Sequence, residues 1–74
     1  MNPMIKARNS TQVESHTYDP ETSTLYVRFT RGGLYSYYGV PKEVYQGMND
    51  MEATGKYFAA NIKGKYTYKK EEEK

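Results

Sequence analysis

Apolar side chains alternate with polar ones over residues 24–30, which is the pattern of a β-strand with one buried face. The apolar members of this face are Leu25, Val27 and Phe29. A Gly-Gly pair at 32–33 interrupts the pattern, and a tyrosine-rich run continues over 34–40. Pro41 ends this second run, because proline fixes its own φ and suits the first turn of a helix. The pattern predicts a β-hairpin that leads directly into a helix.

The length of the hairpin loop decides which tyrosines face the interior, because a shift of one residue turns a whole strand face over. A two-residue loop would pair Phe29 with Leu34, whereas a three-residue loop over 31–33 would pair Phe29 with Tyr35. We favour the longer loop, because it sets aromatic rings against aliphatic partners and supplies a glycine for the left-handed position. The inward pairs are then Phe29 with Tyr35 and Val27 with Tyr37. The outward residues are Tyr26, Arg28, Tyr38 and, in solvent beside Arg28, Ser36.

The flanking segments predict two further elements. β-Branched residues indicate a first strand over 10–18 with Val13 facing inward, and a cluster of Asp, Pro, Ser and Thr indicates a turn over 19–23. A helix begins at Pro41, because apolar residues recur at helical spacing after it. They are Val44, Tyr45, Met48 and Met51. Gly47 weakens this helix by about 1 kcal/mol relative to alanine.

A second helix is predicted over 55–63, with Thr54 as its amino-terminal cap and Gly64 at its carboxyl-terminal end. Its apolar side holds Phe58, Ala59 and Ile62. Residues 66–68 form either a last short strand or an extended tail. We therefore predict an α+β fold, in which a small three-stranded antiparallel meander carries two short helices packed on one face.

The chain has 74 residues, which is the length of one domain with a small core. We predict a flexible amino-terminal arm at 1–9, a single domain at 10–68 and a disordered charged tail at 69–74. The sequence has no cysteine, no long apolar run and no segment typical of a signal peptide, so we expect a soluble, cytoplasmic protein. An exposed strand edge can pair with a second copy, so a monomer and a weak homodimer are both compatible with the sequence.

Few side chains in this chain could carry catalysis. His16 is the one histidine, and its position on an alternating strand favours a surface residue over a general base. Without cysteine, no zinc site of ordinary spacing can be assembled. The Gly-Gly pair lacks the lysine, threonine and following helix of a phosphate loop, so it is a turn. We expect a protein that is not an enzyme and holds no metal or cofactor.

Basic residues are concentrated in the carboxyl half, although the net charge is only +2. This distribution indicates either a weak preference for polyanions or a solvated face that keeps the protein soluble. Aromatic residues interleaved with basic ones can stack on unpaired bases and neutralise phosphates, which favours RNA or single-stranded nucleic acid as a ligand. The candidate residues are Tyr26, Arg28, Arg31, Tyr38, Lys56, Lys63 and Lys65. The same tyrosines would suit a protein partner, and exposed tyrosines are also simply good strand formers.

Several motifs keep a fixed order over residues 13–66: Ser15-x-x-Tyr18-Asp19, Thr24-Leu25-x-Val27-x-Phe29, Tyr35-x-Tyr37-x-x-Val40-Pro41-x-x-Val44-Tyr45, Gly55-x-Tyr57-Phe58-x-x-x-Ile62-Lys63 and Tyr66. Together they resemble the KTSC domain family, which occurs at the carboxyl terminus of some lysyl-tRNA synthetases and as short proteins of bacteria and phages. Thr54 departs from the family pattern, where serine is expected, but both residues can cap a helix. The resemblance implies a role in RNA binding or, for a phage product, binding of a host protein. Because Tyr35 and Tyr37 face inward, any nucleic-acid contact is expected on the opposite face.

Overall fold

Seven elements follow one another along the part of the chain that the computed structural model describes, residues 4–7, 11–50 and 54–71. They are β1 (Ile5–Lys6), β2 (Val13–Asp19), β3 (Thr24–Phe29), β4 (Leu34–Tyr37), α1 (Lys42–Asp50), α2 (Thr54–Asn61) and β5 (Tyr68–Glu71). The five strands form one antiparallel sheet in the order β1-β2-β3-β4-β5. Both helices lie in the connection between β4 and β5.

The predicted α+β fold, with an antiparallel sheet and two helices, is confirmed, but the predicted number of strands is wrong. The sheet has five strands and not three, because β1 and β5 extend the meander at its two edges. β1 lies within the segment 1–9 predicted to be an arm, and β5 overlaps the segment 69–74 predicted to be a tail. Edge strands are bonded to one neighbour and largely exposed, so their sequences need not alternate, and charge is common on them. Residues 1–3, 8–10 and 72–74 lie outside the described residues.

The hairpin between β3 and β4 has a three-residue loop, as predicted, but the loop lies one residue earlier in the chain. The Phe29 N–H donates to the Gly33 carbonyl at 3.1 Å, and the Gly32 N–H donates to the Phe29 carbonyl at 3.0 Å. Gly32 has φ 101°, which is the left-handed position of this loop type. The loop residues are therefore 30–32.

The observed strand pairs differ from the predicted ones by two residues. Val27 lies opposite Tyr35 and Leu25 opposite Tyr37, whereas the prediction paired Phe29 with Tyr35 and Val27 with Tyr37. A shift of two residues leaves every side chain on its predicted face, because side chains alternate with a period of two. Leu25, Val27 and Tyr37 are accordingly buried, and Phe29 and Tyr35 are half-buried against the same core.

The two helices cover this core face of the sheet. α1 begins one residue after Pro41 and buries Met48, while Val44 and Tyr45 pack half-buried against the core. Met51, predicted on the same stripe, lies outside the described residues. α2 buries Phe58, and Ile62 is buried directly after the helix ends.

Two details of α2 differ from the prediction. Ala59, expected beside Phe58 on the apolar side, is exposed. The helix ends at Asn61, and Gly64 takes φ 77° in the next turn, where the Lys65 N–H donates to the Ile62 carbonyl at 3.0 Å. Glycine suits the third position of a β-turn when that residue has a positive φ, as in type II and type I′ turns. No helix in the described ranges is long and apolar enough to cross a membrane.

Candidate functional site

The outward face of the sheet holds three of the predicted binding residues. Tyr26 and Arg28 are half-buried on β3, and Tyr38, which follows β4, is 40% exposed. Ser36 was predicted to lie in solvent on this face, but it is only 1% exposed. The hydroxyl of Ser36 is covered by the longer side chains around it, as its hydrogen bonds show.

A carboxylate lies in the middle of this outward face. The Ser36 Oγ is 2.5 Å from Glu71 Oε2 and 2.9 Å from Tyr38 Oη. Since a serine hydroxyl has one proton and the carboxylate is the stronger acceptor, Ser36 donates to Glu71 and the Tyr38 hydroxyl donates to Ser36. Burial raises the pKa of Tyr26, and the negative charges of Asp19 and Glu71 raise it further. Two carboxylates therefore act on this face, which also carries the cations Arg28 and Lys69.

A different concave surface lies on the helix side of the sheet, between the β3–β4 loop and the turn that follows α2. This cleft has a volume of about 780 Å³. Strands β3, β4 and β5, helix α2 and the two turns all contribute to its walls. The cleft is therefore formed where two short helices leave part of a five-stranded sheet uncovered.

Five aromatic side chains line the cleft and contact one another in a closed circuit. We call Phe29, Tyr35, Tyr68, Tyr37 and Phe58 the aromatic circuit. Neighbouring ring centroids in it are 5.2 to 5.8 Å apart. The contacts that involve phenylalanine are edge-to-face, which is a favourable geometry for aromatic pairs.

The members of the circuit differ in how much of each ring reaches solvent. Phe58 is 1% exposed and Tyr37 is 5% exposed, so these two rings form the floor. Phe29 and Tyr35 are half-buried, whereas Tyr68 is 58% exposed at the start of the edge strand β5. Burial raises the pKa of Tyr37 to about 12, with smaller contributions from Tyr68 and Tyr35. The floor is therefore neutral at any physiological pH, and Tyr35 and Tyr68 offer ring surface to a ligand.

Positive charge flanks the aromatic circuit. Arg31, in the β3–β4 loop, and Lys63, in the turn after α2, both line the cleft and are exposed. Lys70 lies opposite Tyr35 in the sheet, and its Cε is 3.6 Å from where a Cβ on Gly33 would stand. None of the twelve described residues that line the cleft is acidic. The cleft therefore combines an aromatic floor with one cation from the β3–β4 loop and one from the turn after α2.

The structure divides the predicted binding residues among several places. Arg31 and Lys63 come together at the cleft, while Tyr26, Arg28 and Tyr38 lie on the other side of the sheet. Lys56 and Lys65 are exposed but do not line the cleft.

The aromatic circuit was missed because inward-facing rings were assigned to packing alone. The available signal was an excess of inward aromatic residues over the area that two short helices can cover. That excess predicts that some inward rings remain open to solvent.

His16 was predicted to be a surface residue, and this is wrong, since it is only 1% exposed. It lies opposite Val27, on the core face of β2, because a bulge between Val13 and Ser15 changes the alternation of that strand. Its Nδ1 is 3.0 Å from the Tyr45 hydroxyl, and the two rings meet edge-to-face. Burial lowers the pKa of His16 below its ordinary value. The side chain is a part of the interface between the sheet and α1.

Comparison with known proteins identifies a family, related sequences and a related crystal structure. The chain matches the family model of the KTSC domain over residues 9–66. A lysine–tRNA ligase of Nostoc sp. is 33% identical over 66 residues, which are 89% of this chain but only 12% of that protein. A protein of Tsukamurella paurometabola is 37% identical over 57 residues, 77% of this chain and 85% of that protein. The crystal structure of a KTSC domain protein from Yersinia pestis matches with a TM-score of 0.83 and 31% identity, covering 95% of this chain and 100% of that one.

Proposed function

The chain belongs to the KTSC domain family, and on this premise we propose that it is a small non-catalytic module that binds RNA or other single-stranded nucleic acid. The observation that carries this proposal is the aromatic circuit with Arg31 and Lys63 on its rims. Aromatic rings bind bases by stacking, and nearby cations neutralise the phosphates that connect them.

The charge of the cleft favours this ligand over two other classes. An apolar peptide would use the aromatic floor but gain nothing from the cations. A cationic ligand could use the rings through cation–π contacts, but Arg31 and Lys63 would repel it. A nucleotide has both a flat apolar part and a negative charge, so it uses the floor and the rims together.

The relatives support RNA as the polymer. The lysine–tRNA ligases that this chain resembles carry tRNA in their name, and the matched region is a small part of each of them. Attachment of such a module to an enzyme that acts on tRNA is consistent with an added RNA contact. We therefore place RNA before single-stranded DNA among the ligands.

A direct binding measurement tests this proposal. The purified chain is titrated into a fluorescently labelled single-stranded RNA, and anisotropy is recorded at low and at moderate salt. We expect saturable binding that weakens as salt rises, because binding releases condensed counterions. Lys42→Ala is the matched control, since Lys42 is an exposed lysine at the start of α1, away from the cleft, and its removal should leave the affinity unchanged.

Two results would contradict the proposal. RNA and single-stranded DNA that leave the anisotropy unchanged up to millimolar protein would exclude nucleic acid as the ligand. Binding of a protein partner with only a weak response to salt would favour the second candidate, a protein-interaction module that uses exposed tyrosines such as Tyr38 and Tyr68.

A further inference from the structure

We propose that the cleft takes a short unpaired segment, one or two nucleotides long, and excludes duplex nucleic acid. In this complex, bases lie on the exposed rings of Tyr68 and Tyr35, and phosphates lie at Arg31 and Lys63. This inference rests on the proposed function and names its ligand more narrowly.

The exposure of the rings sets the number of bases. Phe58 and Tyr37 form the buried floor, so a ligand cannot slide between them without opening the core. Tyr68 is exposed in the cleft, and its neighbour Tyr35 is half-buried on the adjacent strand. Phe29 is half-buried as well, but it packs edge-to-face on the buried Phe58. Tyr68 and Tyr35 offer stacking surface for one or two bases, and each stacked base contributes separately to affinity.

The volume of the cleft agrees with a ligand of one or two nucleotides. At about 780 Å³, it lies within the range of ordinary small-ligand sites, roughly 300–1,000 Å³. A duplex cannot use such a site, because each base inside a stacked helix already has its faces covered by its neighbours. An unpaired nucleotide has a free face and can enter the cleft.

The cations on the rims set the expected response to salt. Each phosphate contact on a single strand contributes about −0.7 to the slope of log affinity against log salt. Arg31 and Lys63 give a slope of about −1.4, and a third contact from Lys70 gives about −2.1. Raising salt from about 50 to about 200 mM should therefore weaken binding by about 7- to 18-fold.

The test compares ligands of increasing length with the full chain. A mononucleotide, a dinucleotide, a tetranucleotide and an octanucleotide of RNA, each with a 5′-phosphate so that the dinucleotide carries two phosphates, are measured beside a blunt RNA duplex. We expect affinity to rise up to the dinucleotide and then to change only by the number of equivalent positions on a longer strand. The duplex should bind at least about tenfold more weakly, a difference of about 1.4 kcal/mol.

Substitutions in the same assay identify the surface. Tyr68→Ala should weaken dinucleotide binding by about 5- to 150-fold, as expected for the loss of one stacked base, while Tyr68→Phe should restore it. Tyr68 is the most exposed ring of the circuit, so these variants should fold. Arg31→Ala and Lys63→Ala should each reduce the salt slope by about 0.7, and Lys42→Ala should not change it.

The outcomes separate this inference from the broader proposal. If oligonucleotides bind but Tyr68→Ala has no effect, while Tyr38→Ala on the outward face abolishes binding, the cleft is the wrong site and the proposed function stands. Equal affinity for duplex and single strand, or a salt slope steeper than about −4, would likewise overturn the short unpaired ligand. If none of the ligands binds, both proposals fail together.

Discussion

Alanine at position 47 should destabilise the protein, although alanine is the better helix former. Gly47 lies within α1, where replacement by alanine would ordinarily stabilise the helix by about 1 kcal/mol. In this structure, a Cβ at Gly47 would stand 2.6 Å from Tyr57 Cζ and 2.9 Å from Tyr57 Cε2, with the Tyr57 hydroxyl closer still. The aromatic ring of Tyr57 therefore occupies the space that the missing side chain leaves.

The size of the effect follows from the displacement that an added methyl group requires. Two ring carbons and the hydroxyl oxygen of Tyr57 would have to retreat to ordinary contact distance, and Tyr57 is half-buried against the core, so the whole ring must move. Overpacking of this kind costs about 1–3 kcal/mol. Set against the gain in helix propensity, the Gly47→Ala variant should lose about 0–2 kcal/mol of unfolding free energy.

The same substitution in a variant that lacks the Tyr57 ring tests whether that ring causes the loss of stability. In Tyr57→Leu, the shorter side chain does not reach Gly47, so the same Gly47→Ala change should now stabilise by about 1 kcal/mol. Urea unfolding followed by circular dichroism gives the four free energies of this double-mutant cycle. Gln46→Ala, at an exposed position of the same helix, is the control and should change stability by less than about 0.5 kcal/mol. An equal gain in both backgrounds would show that Tyr57 does not lie over Gly47, and with it the docking of α2 against α1 would be wrong.

Three further predictions concern buried polar groups. Burial lowers the pKa of His16 below its ordinary value of 6.5, so the unfolded chain binds more protons than the folded chain as pH falls below that value. The urea midpoint should therefore fall as pH drops below about 6.5, and His16→Gln should remove this dependence. Tyr18→Phe should cost about 1–2 kcal/mol in urea unfolding, because the Tyr18 hydroxyl donates to the Val40 carbonyl at 2.6 Å within the core; no loss would contradict that hydrogen bond. The pKa of Tyr37 is raised from 10 to about 12, so the folded protein should lose stability as pH rises above 10. In an ultraviolet titration of the tyrosines, the phenol that ionises at the highest pH should be absent from the Tyr37→Phe variant.

The sequence predicted the central hairpin well because that part of the chain is half-buried and alternates. Leu25 and Val27 had to face inward together, and a three-residue loop put Tyr35 and Tyr37 on their side even though the exact pairs were displaced by two. The error left the faces unchanged because a shift of two residues preserves alternation. An error of one residue would have reversed them.

The edges of the sheet could not be predicted in the same way. Ile5–Lys6 and Tyr68–Glu71 pair with β2 and β4 along the backbone, and backbone pairing leaves no pattern in side chains. His16 was misplaced for a related reason. The bulge between Val13 and Ser15 sets which residues of β2 face inward, and no residue type in that stretch marks a bulge.

The candidate site was only half predictable. Arg31 and Lys63 were selected from the interleaving of basic and aromatic residues, and both reach the cleft. Their aromatic partners were not selected, because a ring that faces the core was assumed to be covered. Whether such a ring is covered depends on helix length and position, which periodicity determines only approximately.

Nucleic acid is expected to bind at the aromatic circuit, with its phosphates at Arg31 and Lys63. A titration of the isotopically labelled chain with a short single-stranded RNA, followed by amide chemical shifts, tests this most directly. We expect the largest shifts at Arg31, Lys63 and Tyr68, with little change at Tyr26 and Arg28 on the opposite face of the sheet. Shifts concentrated at Tyr26, Arg28 and Tyr38, with the cleft unaffected, would contradict this expectation.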